Sequence, residues 1–451
     1  MNIYRARTQS ITTDEAFTYN VFLDGPLQNI FTIYYANHHV LHTILCRISL
    51  WLFGRSEFTL RIPSLLGGLL YMVTILRLCR YSFGDGWFCF LSFALLSMNP
   101  AALDYMSLAR GYGLALAFFF WAMLEMLRRE GLWLEKASFC LALSVASNLT
   151  FVFPCAALVL VLTLLLALEG QARAALDRLI VPVTVVAFAI TILPLLHAET
   201  SSFYVGEKQL SDSAKSVLWI AWERHEVRPL SFTWMLPALL QWAPIAIPAV
   251  LVLAAAACCF KGASPLLILS AGSLIGSIFL LILGHRIFRI LYPQRRTGLY
   301  WIPLFLLTCL LLIRMMMKKN RFAAAPFVGL AVICLAQFAS QLSVRHYAEW
   351  AGDASTKRIV REIRRNHAFH PKADTKVGTL TWELEPGLNF YRRLYRLGWM
   401  QPVERSLPNG CCDYYVALPA EAGLLEKLSV TRIYEDPFTH GILAVPKSAT
   451  D

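Results

Sequence analysis

Blocks of about 17–25 apolar residues alternate with short polar, often basic breaks through the first three quarters of the chain. Blocks of that length cross a hydrocarbon core about 30 Å thick when they are helical. The pattern predicts ten spans, at 59–80, 86–104, 110–128, 134–151, 153–169, 178–197, 236–260, 264–284, 299–317 and 322–343. Residues 38–54, from His38 to Gly54, are apolar but short, and predict a helix lying at the membrane interface. After residue 343 the periodicity changes. Helix-like stretches at 353–366, 386–398 and 419–429 alternate with strand-like ones at Val377–Trp382, Tyr414–Leu418 and Gly441–Val445. The expected fold class is a polytopic α-helical membrane protein with about ten spans and a small C-terminal α/β extramembrane domain. The expected divisions are a first outer loop (1–58), a transmembrane helical domain (59–343) and the α/β module (344–451).

Charge orients the spans. Arg77 and Arg80, Arg128 and Arg129, Arg173 and Arg178, Lys261, and Lys318-Lys319 with Arg321 all fall on one side if the spans alternate. By the positive-inside bias that side is cytoplasmic. The opposite side then receives residues 1–58, the Asp104–Arg110 loop, a loop near 198–235, the loop 285–298 and everything after 344. Residues 1–13 are neither a signal peptide nor a span. An outer first loop therefore predicts a further helix upstream of Met1, making eleven.

Composition agrees. The chain is 57% hydrophobic and 16% charged, with mean hydropathy +0.53, against roughly 45–50% and about 25% in soluble domains. The net charge of +12 does not indicate nucleic acid, because most Lys and Arg flank apolar spans. The 11 cysteines show no metal-ligand spacing, and most read as small hydrophobes within spans. The vicinal Cys411-Cys412 reads as structural or incidental.

Four polar groups stand out on the outer side. In Thr12-Thr13-Asp14-Glu15, the pair Thr12 and Glu15 fits a capping box opening a helix. That leaves Asp14 as a surface carboxylate for general-base work or cation binding. Asn37-His38-His39 with His42 begins the interfacial helix. His38 and His42 share a face as zinc ligands would, but a third ligand is absent, so polar cavity lining by His38 and His39 is the better reading. Asp104 and Arg110 occupy a turn between spans. They are either solvated charges, worth about 0–1 kcal/mol as a pair, or a second carboxylate and a phosphate ligand. Finally, Arg286, Arg289, Arg295 and Arg296 sit on the outer side against the charge bias. They read either as a headgroup-contacting loop or as the grip on a lipid-linked phosphate.

These segments resemble C-type (GT-C) glycosyltransferases, in particular the bacterial branch related to protein O-mannosyltransferases and aminoarabinose transferase. The resemblance lies in Thr12-Thr-Asp14-Glu15-Ala-Phe-Thr-Tyr19, Asn37-His38-His39, Ser56-Glu57-Phe-Thr-Leu-Arg61-Ile-Pro63, Asp104-Tyr105 with Ala109-Arg110-Gly-Tyr112, and Arg296-Thr-Gly-Leu-Tyr300-Trp-Ile-Pro303. It covers about residues 10–345. It implies an inverting enzyme of the bacterial inner membrane that moves a sugar from a polyprenyl-phosphate donor to a lipid, glycan or protein on the non-cytoplasmic face. Asp14, Glu15 and Asp104 would be catalytic, and Arg110, Arg295, Arg296 and Tyr300 would bind donor phosphate. His38, His39 and Tyr112 would line the cavity, and a divalent cation (Mg or Mn) would bridge Asp14 and Asp104. The alternative class, a transporter or flippase for a lipid-linked or anionic substrate, calls for charges deep within spans and repeated broken halves. Here the spans are nearly charge-free between their ends.

Overall fold

The computed structural model describes residues 1–199, 205–222, 231–260, 262–404 and 412–447. Lys261, Cys411 and parts of the 198–235 loop lie outside the described residues. Among those described, 7 helices are long and apolar enough to cross a membrane: Glu57–Phe83, Leu149–Leu168, Ala172–Leu195, Thr233–Cys258, Pro265–Phe288, Arg295–Lys319 and Arg321–Ser340.

The other expected spans are shorter helices. The 86–104 stretch breaks at Asn99, whose side chain accepts the Ala102 N–H at 3.2 Å and caps a new helix, Pro100–Tyr105. Proline at the first helical position suits that start, since its missing N–H has no partner to lose there. What remains is Trp87–Ser97, of 11 residues. Tyr112–Arg128 has 17 residues and Trp133–Ser147 has 15, or roughly 23–26 Å at 1.5 Å per residue. These two pack on each other, and Tyr112–Arg128 packs also on Glu57–Phe83. The Tyr112–Arg128 helix is enclosed nearly all round, its Ala115, Leu116, Phe119, Phe120 and Met123 having no exposed surface. It is the centre of the bundle.

Glycines set how closely this centre is approached. A Cβ on Gly67 would lie 2.8 Å from the Leu114 backbone nitrogen, and one on Gly111 would lie 1.7 Å from the Ser147 carbonyl oxygen. Only hydrogen fits at these positions. The turn carrying Arg110 is thereby pressed between the start of Glu57–Phe83 and the end of Trp133–Ser147.

The C-terminal module is a four-stranded sheet of order β1-β2-β4-β3, with β1 Val377–Thr379, β2 Tyr414–Ala417, β3 Val430–Glu435 and β4 Ile442–Pro446. β1 and β2 are parallel, and the other pairs are antiparallel. Helices Thr356–Phe369 and Leu384–Leu394 cover one face. The first of them buries Ile359, Val360 and Ile363 on one stripe. β3 was not expected. Its register shifts between Arg432 and Tyr434, and a bulge breaks the alternation that marks a strand. The 419–429 stretch, expected as one helix, is three short turns, Pro419–Glu421, Ala422–Leu425 and Glu426–Leu428.

The module does not stand apart from the start of the chain. Its core is continuous with Ile11, Ala16, Tyr19 and Leu60. The Tyr391 hydroxyl accepts the Ile11 N–H and donates to Glu57, both at 2.9 Å. Segments 1–58, 344–404 and 412–447 thus form one cap over the same end of the bundle.

Candidate active site

The site begins at Thr12. Its side chain accepts the Glu15 N–H, and the Glu15 carboxylate accepts the Thr12 N–H at 3.0 Å, so a capping box opens the helix Thr13–Thr18. Glu15 is fully buried and its oxygens are fully engaged. Arg61 donates to both, at 2.8 and 2.6 Å, and the Ala109 N–H donates at 2.6 Å. Arg61 also donates to the carbonyls of Ala6, Gln9 and Ser10. Glu15 was expected beside Asp14 as a catalytic group. Its place is instead that of a tie between the first segment, the first span and the Arg110 turn, with no lone pair left to take a proton.

Asp14 turns the other way, toward cations. One oxygen lies 3.5 Å from Arg110 and 3.2 Å from Arg296, and the other accepts the Asn37 amide at 3.1 Å. Asn37 closes the ring by accepting Arg110 on its carbonyl and side-chain oxygens at 3.4 and 3.3 Å. Burial pushes the Asp14 carboxyl up, but the two guanidiniums and the Asn37 amide outweigh it and hold the pKa below the ordinary carboxylate value. Arg110 is positioned by its backbone, whose carbonyl accepts the Ser64 hydroxyl at 3.2 Å. Arg296 sits on the turn Arg295–Gly298, closed by bonds between Gln294 and Thr297.

Arg296 also faces Glu349, at 3.6 Å, and the Trp350 ring, at 5.2 Å. Tyr105 donates to Glu349 and packs its ring, tilted, against Tyr112 at 4.6 Å, and Tyr112 meets His39 edge-on at 5.3 Å. Burial, helped by Arg110, keeps the His39 imidazole far below its usual pKa, and so neutral. A void of about 10 Å³, bounded in part by Asp104, Tyr105, Glu349 and Trp350, adjoins the cluster. Five separate segments therefore meet at one end of the bundle: 12–15, 37–39, 105–112, 296 and 349–350.

Other expected members lie elsewhere. Asp104 is paired with the fully buried Arg5, and its second oxygen accepts the Ala348 N–H at 3.1 Å. Asp14 and Asp104 thus answer different cations, Arg110 with Arg296 in one case and Arg5 in the other. Arg295 is exposed and lies 5.0 Å over the Trp219 ring. Tyr300 is buried against Phe151, with ring centroids 5.5 Å apart. His38 is buried, stacking on Phe22 at 4.2 Å beside a small apolar cluster, and burial lowers its pKa to about 4. His42 bonds the Ser64 hydroxyl at 2.9 Å. No group of three metal-ligating side chains is assembled among the described residues. The surroundings of Asp14 do not fit a divalent cation, because two guanidiniums hold the positions beside its carboxylate where such an ion would sit.

Glu349, Trp350 and Arg5 complete these contacts without having been singled out in the sequence, and Asn37, marked there only as part of a polar cluster, bridges Asp14 and Arg110. Glu349 follows the last span in no recognisable motif. Arg5 reads in sequence as an ordinary flanking charge, and its partner is 99 residues away.

No family model and no curated protein matches the sequence. Among solved structures the chain is similar to ArnT from Cupriavidus metallidurans in the apo state, with 15% identity and TM-score 0.47, covering 98% of this chain and 95% of that one. It is similar to ArnT from the same organism bound to undecaprenyl phosphate, with 15% identity, TM-score 0.43 and the same coverages, 98% and 95%. It is also similar to the Archaeoglobus fulgidus oligosaccharyltransferase in complex with zinc and sulfate, with 14% identity and TM-score 0.45, covering 98% of this chain and 70% of that one.

Proposed function

We propose that this chain is an inverting membrane glycosyltransferase, moving a sugar from a polyprenyl-phosphate donor to a hydroxyl of a lipid, glycan or protein on the non-cytoplasmic face of the bacterial inner membrane. The observation that carries the reading is the buried Asp14 carboxylate held between Arg110 and Arg296. The motifs Thr12–Tyr19, Asp104–Tyr112 and Arg296–Pro303, which resemble the C-type glycosyltransferases, supply these same side chains.

The chemistry matches the residue types. An acceptor oxygen attacks the anomeric carbon, the bond from that carbon to the phosphate oxygen breaks, and the electron pair leaves with the polyprenyl phosphate. Arg110 and Arg296 stabilise the charge growing on that phosphate. Asp14, ionised at neutral pH, takes the acceptor proton. Glu349 competes with the phosphate for Arg296, so donor binding displaces that contact, and Asn37 keeps Asp14 and Arg110 in register.

The test is transfer of radiolabelled sugar from polyprenyl-phosphate donors in membranes carrying the full chain. D14N is expected to lose roughly 10²–10⁴-fold in rate while inserting at normal levels. Wild-type transfer by D14N would remove the proposed base.

A further inference from the structure

Arg295 and Arg296 are neighbours in one short turn, yet it is Arg296 that reaches Asp14 and Glu349. Arg295 stands at φ 48°, in the left-handed region that a non-glycine residue keeps only when its surroundings hold it there. The holding comes from the helix Leu210–Trp222. Its Ser213 hydroxyl, fully buried, donates to the buried Pro293 carbonyl, and its Ser216 hydroxyl accepts the Arg295 N–H at 3.0 Å. Val217 seats on Gly298 so closely that a Cβ there would lie 2.5 Å from its Cγ2. Trp219 takes the Arg295 guanidinium at 5.0 Å, leaving Arg296 to face the cluster. Just ahead of the helix, Glu207 exchanges both backbone bonds with Tyr292, at 2.8 and 2.9 Å. The other end of the helix is held by side chains from within the bundle. Asn99 donates to the Ala221 carbonyl at 3.3 Å. Gln337, fully buried on the span Arg321–Ser340, donates to the Trp222 carbonyl at 2.7 Å and accepts the Phe232 N–H at 2.6 Å. An amide buried in an apolar span is costly unless it is satisfied, and here both its ends are spent on the backbone of another segment. The same helix brings Trp219 and Ile220 to the void beside Tyr105, Glu349 and Trp350.

We propose that Ser213 and Gln337 are positioning residues for Arg296: the helix Leu210–Trp222 is a splint, pinned by Gln337 at one end and bonded through Ser213 to the turn that carries the guanidinium. The inference rests on the reading of Arg296 as a ligand of the donor phosphate. A side chain as long as arginine samples many rotamers once its backbone shifts, and a misplacement of about 1 Å can cost roughly 10²-fold where it must meet a fixed charge. Packing alone needs only apolar contact between a helix and a turn. Here hydroxyl and amide bonds tie the helix to single backbone atoms of Pro293, Arg295 and Phe232, and these fix the register of the turn against the last span.

The full-length protein in phosphatidylcholine nanodiscs is titrated with farnesyl phosphate, a short polyprenyl phosphate, against empty nanodiscs as the blank. Ser213→Ala and Gln337→Met are made alone and on top of Arg296→Ala. Each is expected to weaken binding roughly three- to tenfold, the range one hydrogen bond commands, and to cost nothing further once Arg296→Ala is present. That non-additivity marks residues acting through one guanidinium. A loss of the same size in both backgrounds would make them ordinary structural residues and overturn the proposal, as would unchanged affinity in the single variants. If Ser213→Ala melts early, Gly298→Ala decides, alone and with Val217→Ala. Weakened binding in the first that the second restores supports the splint, and equal binding by both refutes it. The two readings fail differently. Binding that falls with Arg296→Ala but ignores Ser213 and Gln337 removes only the positioning roles. No binding by the wild type, or binding indifferent to Arg296→Ala, removes the phosphate reading of Arg296 and this inference with it.

Discussion

Adjacent carboxylates in one capping turn have opposite surroundings. Glu15 is locked to Arg61 with both side chains fully buried. Removing one partner of such a pair leaves the other charge buried alone, at about 3–5 kcal/mol. Glu15→Gln is therefore expected to unfold at markedly lower denaturant, whereas Asp14→Asn changes stability less than activity; urea titration in detergent separates them. If Asp14 is the base, its lowered pKa puts the acid limb of the kcat/KM profile below the ordinary carboxylate range, and rates stay flat in its titration from pH 5 to 7. An acid limb near pH 6 that D14N abolishes would contradict this. Asp353 is the reverse case. Burial raises it to about 8, against the N–H and hydroxyl of Thr13 that bond it and with Glu383 and Asp14 adding to the rise. The folded state then holds a proton the unfolded chain has released, so stability falls as pH rises from about 4 to about 8. The melting temperature should drop between pH 5.5 and 8 in the wild type and drop less in Asp353→Asn. At this scale the capping box was legible because it is local. The arginines around Asp14 were legible in part, since Arg110 and Arg296 break the charge bias of a membrane chain. Arg5 and Glu349 were not, because an isolated charge carries no signal of a partner that only the fold brings near.

Among elements, the decisive contact is the turn at Gly111, where a single added carbon would collide with the Ser147 carbonyl. Gly111→Ala is expected to displace Arg110 and to lose both expression and transfer. Gly86→Ala, where a Cβ meets nothing within 4 Å, should be silent in both measurements. Long apolar helices were readable from block length alone. The breaks were harder: Asn99-Pro100 interrupts an apolar run without an apparent change in hydropathy, and only the Asn99 cap shows that a new helix begins there. β3 escaped for a related reason, since Ile433 is 37% exposed on a bulged edge strand and the period of two is lost.

For the molecule as a whole, segments 12–15, 37–39, 105–112, 296 and 349–350 meet at one end of the bundle. The ion pairs Arg129–Glu169 and Glu135–Arg178 join turns that close the other. Glu57–Phe83 runs between the two ends, with Arg61 at the cap and Arg80 nineteen residues on, roughly 28 Å along the axis. Protease-cleavable tags inserted at 26–28 and at 170–171 should be cut from opposite sides of sealed vesicles, the first only from outside in spheroplasts. Cutting of both from one side would overturn the proposed topology. The ribbon from Val344 to Trp350 has a consequence of its own. Its main chain is pinned at three points, the Val344 carbonyl accepting from Gln9, the His346 carbonyl from Arg5 and the Ala348 N–H donating to Asp104, and its last residues touch Arg296. Glu349 is therefore delivered to the Asp14 cluster on a short tether moored to the beginning of the chain.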